Sequence, residues 1–190
     1  MNDLPGLLLF FADLLDYPFE DVSRQARACM ARLDEVCPQA GERLAGFEHW
    51  VNHEQLSRVQ EIYTSTFDLQ GLCCPYVGYQ LFGESYQRSW FMARLNEGYR
   101  QKGYDCGSEL PDHVVMVLRF LSASLEDEFS LVLLQEGLLP AAGKMIEVFG
   151  ENRTQPYCLI LQALLLLLQE KEISGAFSLA HPGAGGVGDD

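Results

Sequence analysis

A chain of 190 residues, 48% of them hydrophobic, is long enough to enclose one sizeable core and too apolar to remain disordered. Its 27 acids against 13 bases give a net charge of −14, a surface that repels phosphate backbones, excludes nucleic acid as a partner and attracts basic peptides. Six cysteines with no C-x-x-C pair read as reduced thiols, not a disulfide framework.

Apolar residues recur at helical spacing from the start. Leu7, Leu8, Phe11, Leu14 and Leu15 share one face of a helix over 4–15. That segment is greasy, yet Asp3 stands where a signal peptide needs a cation, and Asp13 and Asp16 interrupt its C-terminal side. Val22, Ala26, Cys29 and Leu33 predict a second helix over 20–36, and Pro38 to Gly41 reads as a break before a third over 42–51. Asn52 is placed to cap a helix from His53 to about Asp68, with Val59, Tyr63, Thr66 and Phe67 on its apolar side. Residues 71–75, with Cys73 and Cys74, interrupt the pattern. Residues 76–82 read as a short helix, and Ser85 caps the next, which runs to Lys102.

A Gly-bearing loop over 102–108 leads into Glu109-Leu110-Pro111-Asp112-His113 and the apolar run Val114 to Leu121. Proline holds φ near the helical value and lacks an N–H that a first turn could not pair, so Pro111 fits the first helical position. Asp112 then falls in the first turn, where a carboxylate meets the positive end of the helix dipole. Ser124 reads as the cap of a restarted helix with Glu126, Asp127 and Glu128 in its first turn, and Gly137 with Pro140 as a break before 141–149. The last helix covers 155–171. Its run Cys158 to Leu168 is about half a bilayer crossing, which suits a core helix, and no segment reads as a membrane span. Residues 176–190 form a Gly-rich acidic tail too poor in apolar residues to order itself. No strand alternation and no repeat is found. The expectation is a single all-α domain of about nine helices over 1–175, followed by a flexible tail over 176–190, in a cytoplasmic protein.

Local catalytic motifs fail on inspection. Between Gly137 and Gly143 stand five residues where a phosphate loop needs four, and Met145 replaces the hydroxyl that would reach Mg²⁺. His53-Glu54 lacks the second histidine of a zinc-protease helix, since position 57 is Ser57. Cys73, Cys74, Cys106 and His113 show no paired ligand spacing, and no nucleophile elbow occurs. No catalytic residue, metal ligand or cofactor is therefore expected. A small-molecule or metal-handling site around His113 and the cysteines stays open as the alternative. Tyr63 and Phe67, four apart, read as a core stripe. Tyr76, Tyr79, Phe82, Tyr86, Trp90 and Tyr99 exceed what core filling uses, and they lie beside Asp68, Glu84 and the Glu109–His113 stretch. Apolar wall and carboxylates together are what a basic amphipathic peptide needs.

Tyr63-x-x-x-Phe67-Asp68, the Tyr-rich stretch 76–82, Gly83-Glu84-Ser85, Tyr99-Arg100-x-x-Gly103 and Glu109-Leu110-Pro111-Asp112-His113 succeed one another in this order. The pattern resembles the NarJ/TorD/DmsD family of redox-enzyme maturation chaperones. It covers about residues 5–172, is strongest from Glu61 to Leu121, and is most similar to the NarJ branch, the delta subunits of nitrate reductase and its relatives. The resemblance implies a TorD-like helical fold and a non-enzymatic cytoplasmic chaperone, monomeric or dimeric, with no nucleic-acid partner and no membrane insertion. Such a chaperone binds the N-terminal leader, a twin-arginine signal or its remnant, of the apo catalytic subunit of a DMSO-reductase-family molybdoenzyme. It keeps that subunit competent for molybdopterin insertion before membrane docking or export. The family motif carries over to Glu109, Pro111, Asp112 and His113, with Tyr63, Phe67 and Asp68 as the partner stretch. The Gly- and Cys-containing residues 71–75 are less typical and leave the client open. The peptide-binding surface expected on both grounds comprises these seven residues with Tyr76, Tyr79, Glu84, Tyr86 and Trp90.

Overall fold

The computed structural model describes residues 3–19, 22–68 and 70–173; the tail expected over 176–190 lies outside them. Apolar periodicity becomes helix throughout. The order is α1 (Leu4–Leu14), α2 (Val22–Val36), α3 (Pro38–Val51), α4 (Leu56–Phe67), α5 (Val77–Phe82), α6 (Tyr86–Gln101), α7 (Val114–Ser124), α8 (Glu128–Val132), a π-helical segment (Leu133–Leu138), α9 (Leu139–Glu147) and α10 (Pro156–Ile173). The segments from α8 to α9 form one continuous rod, so the described residues make nine helical rods, as the spacing predicts. Among them the strand-like pairing is a single antiparallel bridge, between Tyr76 and His113.

The core grows from the faces the periodicity marks. Leu7, Leu8 and Phe11 of α1 are fully buried, where α1 packs on α7 and α2. α10 packs along α3 and against α9, with Cys158, Leu161, Leu164 and Leu168 inside. The Gln155 side chain accepts the N–H of Cys158 at 3.0 Å, supplying the cap of α10, and donates to the Thr66 hydroxyl at 2.7 Å, tying that cap to α4. Tyr63, Phe67 and Tyr157 stack mutually with ring centroids 5.3 to 5.5 Å apart, so the Tyr63–Phe67 stripe is core.

Four boundaries differ from the local reading. Pro38 to Gly41 is the first turn of α3, because Pro38 suits that turn, and Gly41 lies against the Asp34 carboxylate of α2. Asn52 caps the end of α3, giving its N–H to the Glu48 carbonyl, and α4 begins only at Leu56. Ser124 is the last residue of α7; the cap of α8 is Asp127, whose carboxylate accepts the N–H of Ser130 at 3.0 Å. Gly137 and Pro140 do not break the rod: Gly137 lies in the wider π turn, which ends with the N–H of Leu139 bonded to the carbonyl of Leu134, and Pro140 stands in the first turn of α9, where its missing N–H is tolerated. This rod, Glu128–Glu147, is long and apolar enough by composition to cross a membrane, but half of it is buried in the core.

Candidate functional site

The Glu109–His113 stretch is not the first turn of α7 but the strap that leads into it. The N-cap is His113, whose Nδ1 accepts the N–H of Val115 at 3.3 Å, which leaves the ring proton on Nε2. Pro111 and Asp112 precede the cap and are buried. The Pro111 carbonyl accepts the Tyr99 hydroxyl at 2.9 Å. The backbone around Asp112 and His113 is stitched to the start of α5: Val77 N–H donates to the Asp112 carbonyl at 2.7 Å, and Val114 N–H to the Pro75 carbonyl at 2.8 Å. The expected dipole partner, Asp112, instead forms an ion pair with α6. Arg88 Nε donates to its Oδ2 at 2.9 Å, with the Asp112 side chain 0% and the Arg88 side chain 15% exposed. Gly78 makes this possible, since a Cβ there would stand 2.8 Å from Asp112 Oδ2.

Arg88 is the residue the sequence reading passed over. It is one of three arginines, with Arg94 and Arg100, along α6. In the fold its guanidinium lies 5.3 Å from the Tyr76 ring centroid and 5.7 Å from that of Tyr79, so one side chain holds Asp112 and both rings. The available signal was an arginine set among aromatics three residues after the Ser85 cap, which puts it on the first turn facing α5.

The stitch also gathers most of the predicted surface. Tyr76 stacks edge-on against His113 at 5.3 Å, and its hydroxyl donates to Glu109 Oε1 at 3.3 Å. Burial pushes the Tyr63 hydroxyl pKa up, and Asp16, Asp68, Glu109 and Tyr76 push it further. Burial likewise pushes the His113 pKa below its ordinary value; Glu109, Asp16 and Asp112 favour its charged form, and Arg119 opposes it. Arg119 in turn binds Asp16 at 2.8 Å and Asp13 at 3.3 Å, joining α7 to the end of α1. Beside this face opens a cleft of about 610 Å³ lined by Tyr17, Glu61 and Asp68, and Phe19 stands next to Tyr17, 73% exposed.

Glu84 precedes the Ser85 cap of α6 and, like Arg88 and Asp112, acts on Cys74. Tyr86 and Trp90 stand on α6, 83% and 61% exposed, and Trp90 borders an apolar groove against the π-helical segment. The sulfurs considered with His113 for zinc do not gather around it: among the described residues no three His, Cys, Asp or Glu side chains are placed to hold one ion.

The sequence matches the family model "Nitrate reductase delta subunit" over residues 30–150. This chain belongs to the nitrate reductase delta subunit family. Members are maturation chaperones of redox enzymes and not catalysts, and their partner is a molybdoenzyme catalytic subunit. A crystal structure from Archaeoglobus fulgidus, assigned as a redox enzyme maturation protein, has the same fold: TM-score 0.58 at 22% identity, over 87% of this chain and 93% of that one. No curated protein matches the sequence. Within the delta subunit match lie all twelve residues singled out for peptide binding, from Tyr63 to His113.

Proposed function

We propose that this delta-subunit chaperone is a cytoplasmic protein that binds the basic N-terminal leader of a molybdoenzyme catalytic subunit and holds that subunit until molybdopterin is inserted. The observation that carries the reading is the face around Tyr76: half-exposed Tyr76 bonded to Glu109, with Asp68, which like them acts on Tyr63, lining an open acidic cleft. Leader arginines would meet Asp68, Glu61 and Glu109 through charge-assisted hydrogen bonds, and Tyr17, Tyr76 and Tyr79 would take its apolar side chains. Tyr63, Phe67, Pro111, Asp112 and His113 shape that face from within, because all five are buried. Trp90 is left to the groove it borders, and Glu84 and Tyr86 take no part in this reading.

Titration calorimetry with a synthetic leader carrying an arginine pair tests this. Asp68→Asn and Glu109→Gln should each weaken binding by about 1.5–3 kcal/mol while keeping a wild-type circular dichroism spectrum, and wild-type affinity should fall as salt rises. Unchanged affinity in both variants would remove the leader from this face.

A further inference from the structure

The groove between α6 and the π-helical segment is not needed by the leader-binding face. It encloses about 340 Å³, with Phe91, Leu95 and Leu133 among its lining residues and Phe82, Trp90 and Val132 exposed along it. Its shape and its charge are both two-sided. Trp90 stands up from α6 at the rim, 61% exposed, beside an apolar hollow of ligand size. Arg94, lying over the Trp90 ring at 5.7 Å, borders the groove from α6, and Glu136 borders it from the π-helical segment. Neither is part of an ion pair among the described residues.

A two-fold contact presents one patch to itself, so that residue i meets residue j and j meets i. A patch with both a knob and a hollow, and with a cation opposite an anion, is complementary to its own copy. For a chain of net charge −14, it is also a place where two copies can touch without like charges facing. We propose that this groove is the contact between two copies of this chain: Trp90 of each fills the groove of the other, and Arg94 of each pairs with Glu136 of the other. A segment of a different protein would have to bring its own ring and both charges; a second copy brings all three.

Sedimentation of the full chain at rising concentration tests it. The expected result is a reversible monomer–dimer equilibrium with a concentration-dependent blue shift of tryptophan emission, lost in Trp90→Phe. Trp90→Ala should raise the dissociation constant about tenfold or more. Arg94→Glu and Glu136→Arg, each with wild-type circular dichroism, should be monomeric alone, and an equimolar mixture should recover the dimer, because each reversed charge then faces its opposite. A wild-type chain monomeric throughout would overturn the proposal, as would a dimer that survives both reversals. So would a monomer whose Trp90 emission shifts only when a synthetic apolar helical peptide is added, which would give the groove to another protein. The chain is tested alone, so these outcomes leave the leader reading untouched.

Discussion

Asp112 and His113 are neighbours with different tasks, and burial separates them. Asp112 has its carboxylate wholly inside, held by Arg88. Breaking such a pair from one side leaves a buried charge without a partner, so Arg88→Ala should lower the urea-unfolding free energy by about 3–5 kcal/mol. A loss under about 1 kcal/mol would mean that the pair behaves as a surface one. His113 acts as a neutral cap, and its pKa is depressed by burial. A depressed pKa means that the unfolded chain binds the proton more readily. The contribution to stability is therefore fully present above the unfolded value of about 6.5 and is lost as pH falls below it toward the folded value. Unfolding free energy followed from pH 8 to pH 5 should show this loss (both limits lie about 1.5 units from the unfolded value). His113→Asn, which keeps a capping acceptor, should flatten that part of the curve; an unaltered curve would assign the loss to other groups.

At the scale of elements, the misread boundaries turn on which of several local signals the chain uses, and on where helices come close. Pro38, Gly41, Gly137 and Pro140 are breakers by propensity, yet all four lie within helical segments: the two prolines stand in first turns, Gly41 lies against Asp34 of α2, and Gly137 sits in the π-helical segment. Gly98 shows the close approach most directly. The ring of Phe129 from α8 lies against its backbone, so α6 and α8 approach where any side chain would collide. Gly98→Ala gains helix propensity yet must move that ring, and thermal melting should show a net loss of about 1–3 kcal/mol. A stabilised variant would show that Phe129 has room to retreat. The π turn belongs to the same class, for nothing in a window of residues predicts an i−5 bond.

At the scale of the whole molecule, the six thiols report how the core closes. Cys29, Cys37, Cys73 and Cys158 are buried, and burial pushes Cys29 and Cys73 up to about 12; Cys74 and Cys106 are only half-buried. Reaction with a thiol reagent should label Cys74 and Cys106 in the folded state and the other four only at the rate of global unfolding. Mass spectrometry of the labelled chain would separate these classes, and fast labelling of Cys73 would mean that the residues before α5 open locally. Charge also acts at this scale: −14 over the surface favours a basic partner, but it does not choose a face.

The sequence by itself determined the class and most of the helices, because burial of one face per helix writes a 3.6-residue period into any chain that folds this way. The same period identified Tyr63 and Phe67 as core. The order of short motifs ending in Glu109–His113 pointed to the family that the comparison then established. Only the tertiary structure decided where those motif residues lie and what they bond to. Whether Asp112 faces solvent or Arg88 depends on α6 lying over the strap, and whether Tyr76 meets Glu109 and His113 depends on two backbone bonds between segments distant in the chain. It also parted Trp90 from the Tyr76 face. Contacts between elements are set by how helices pack, and neighbours in space leave no period in the chain.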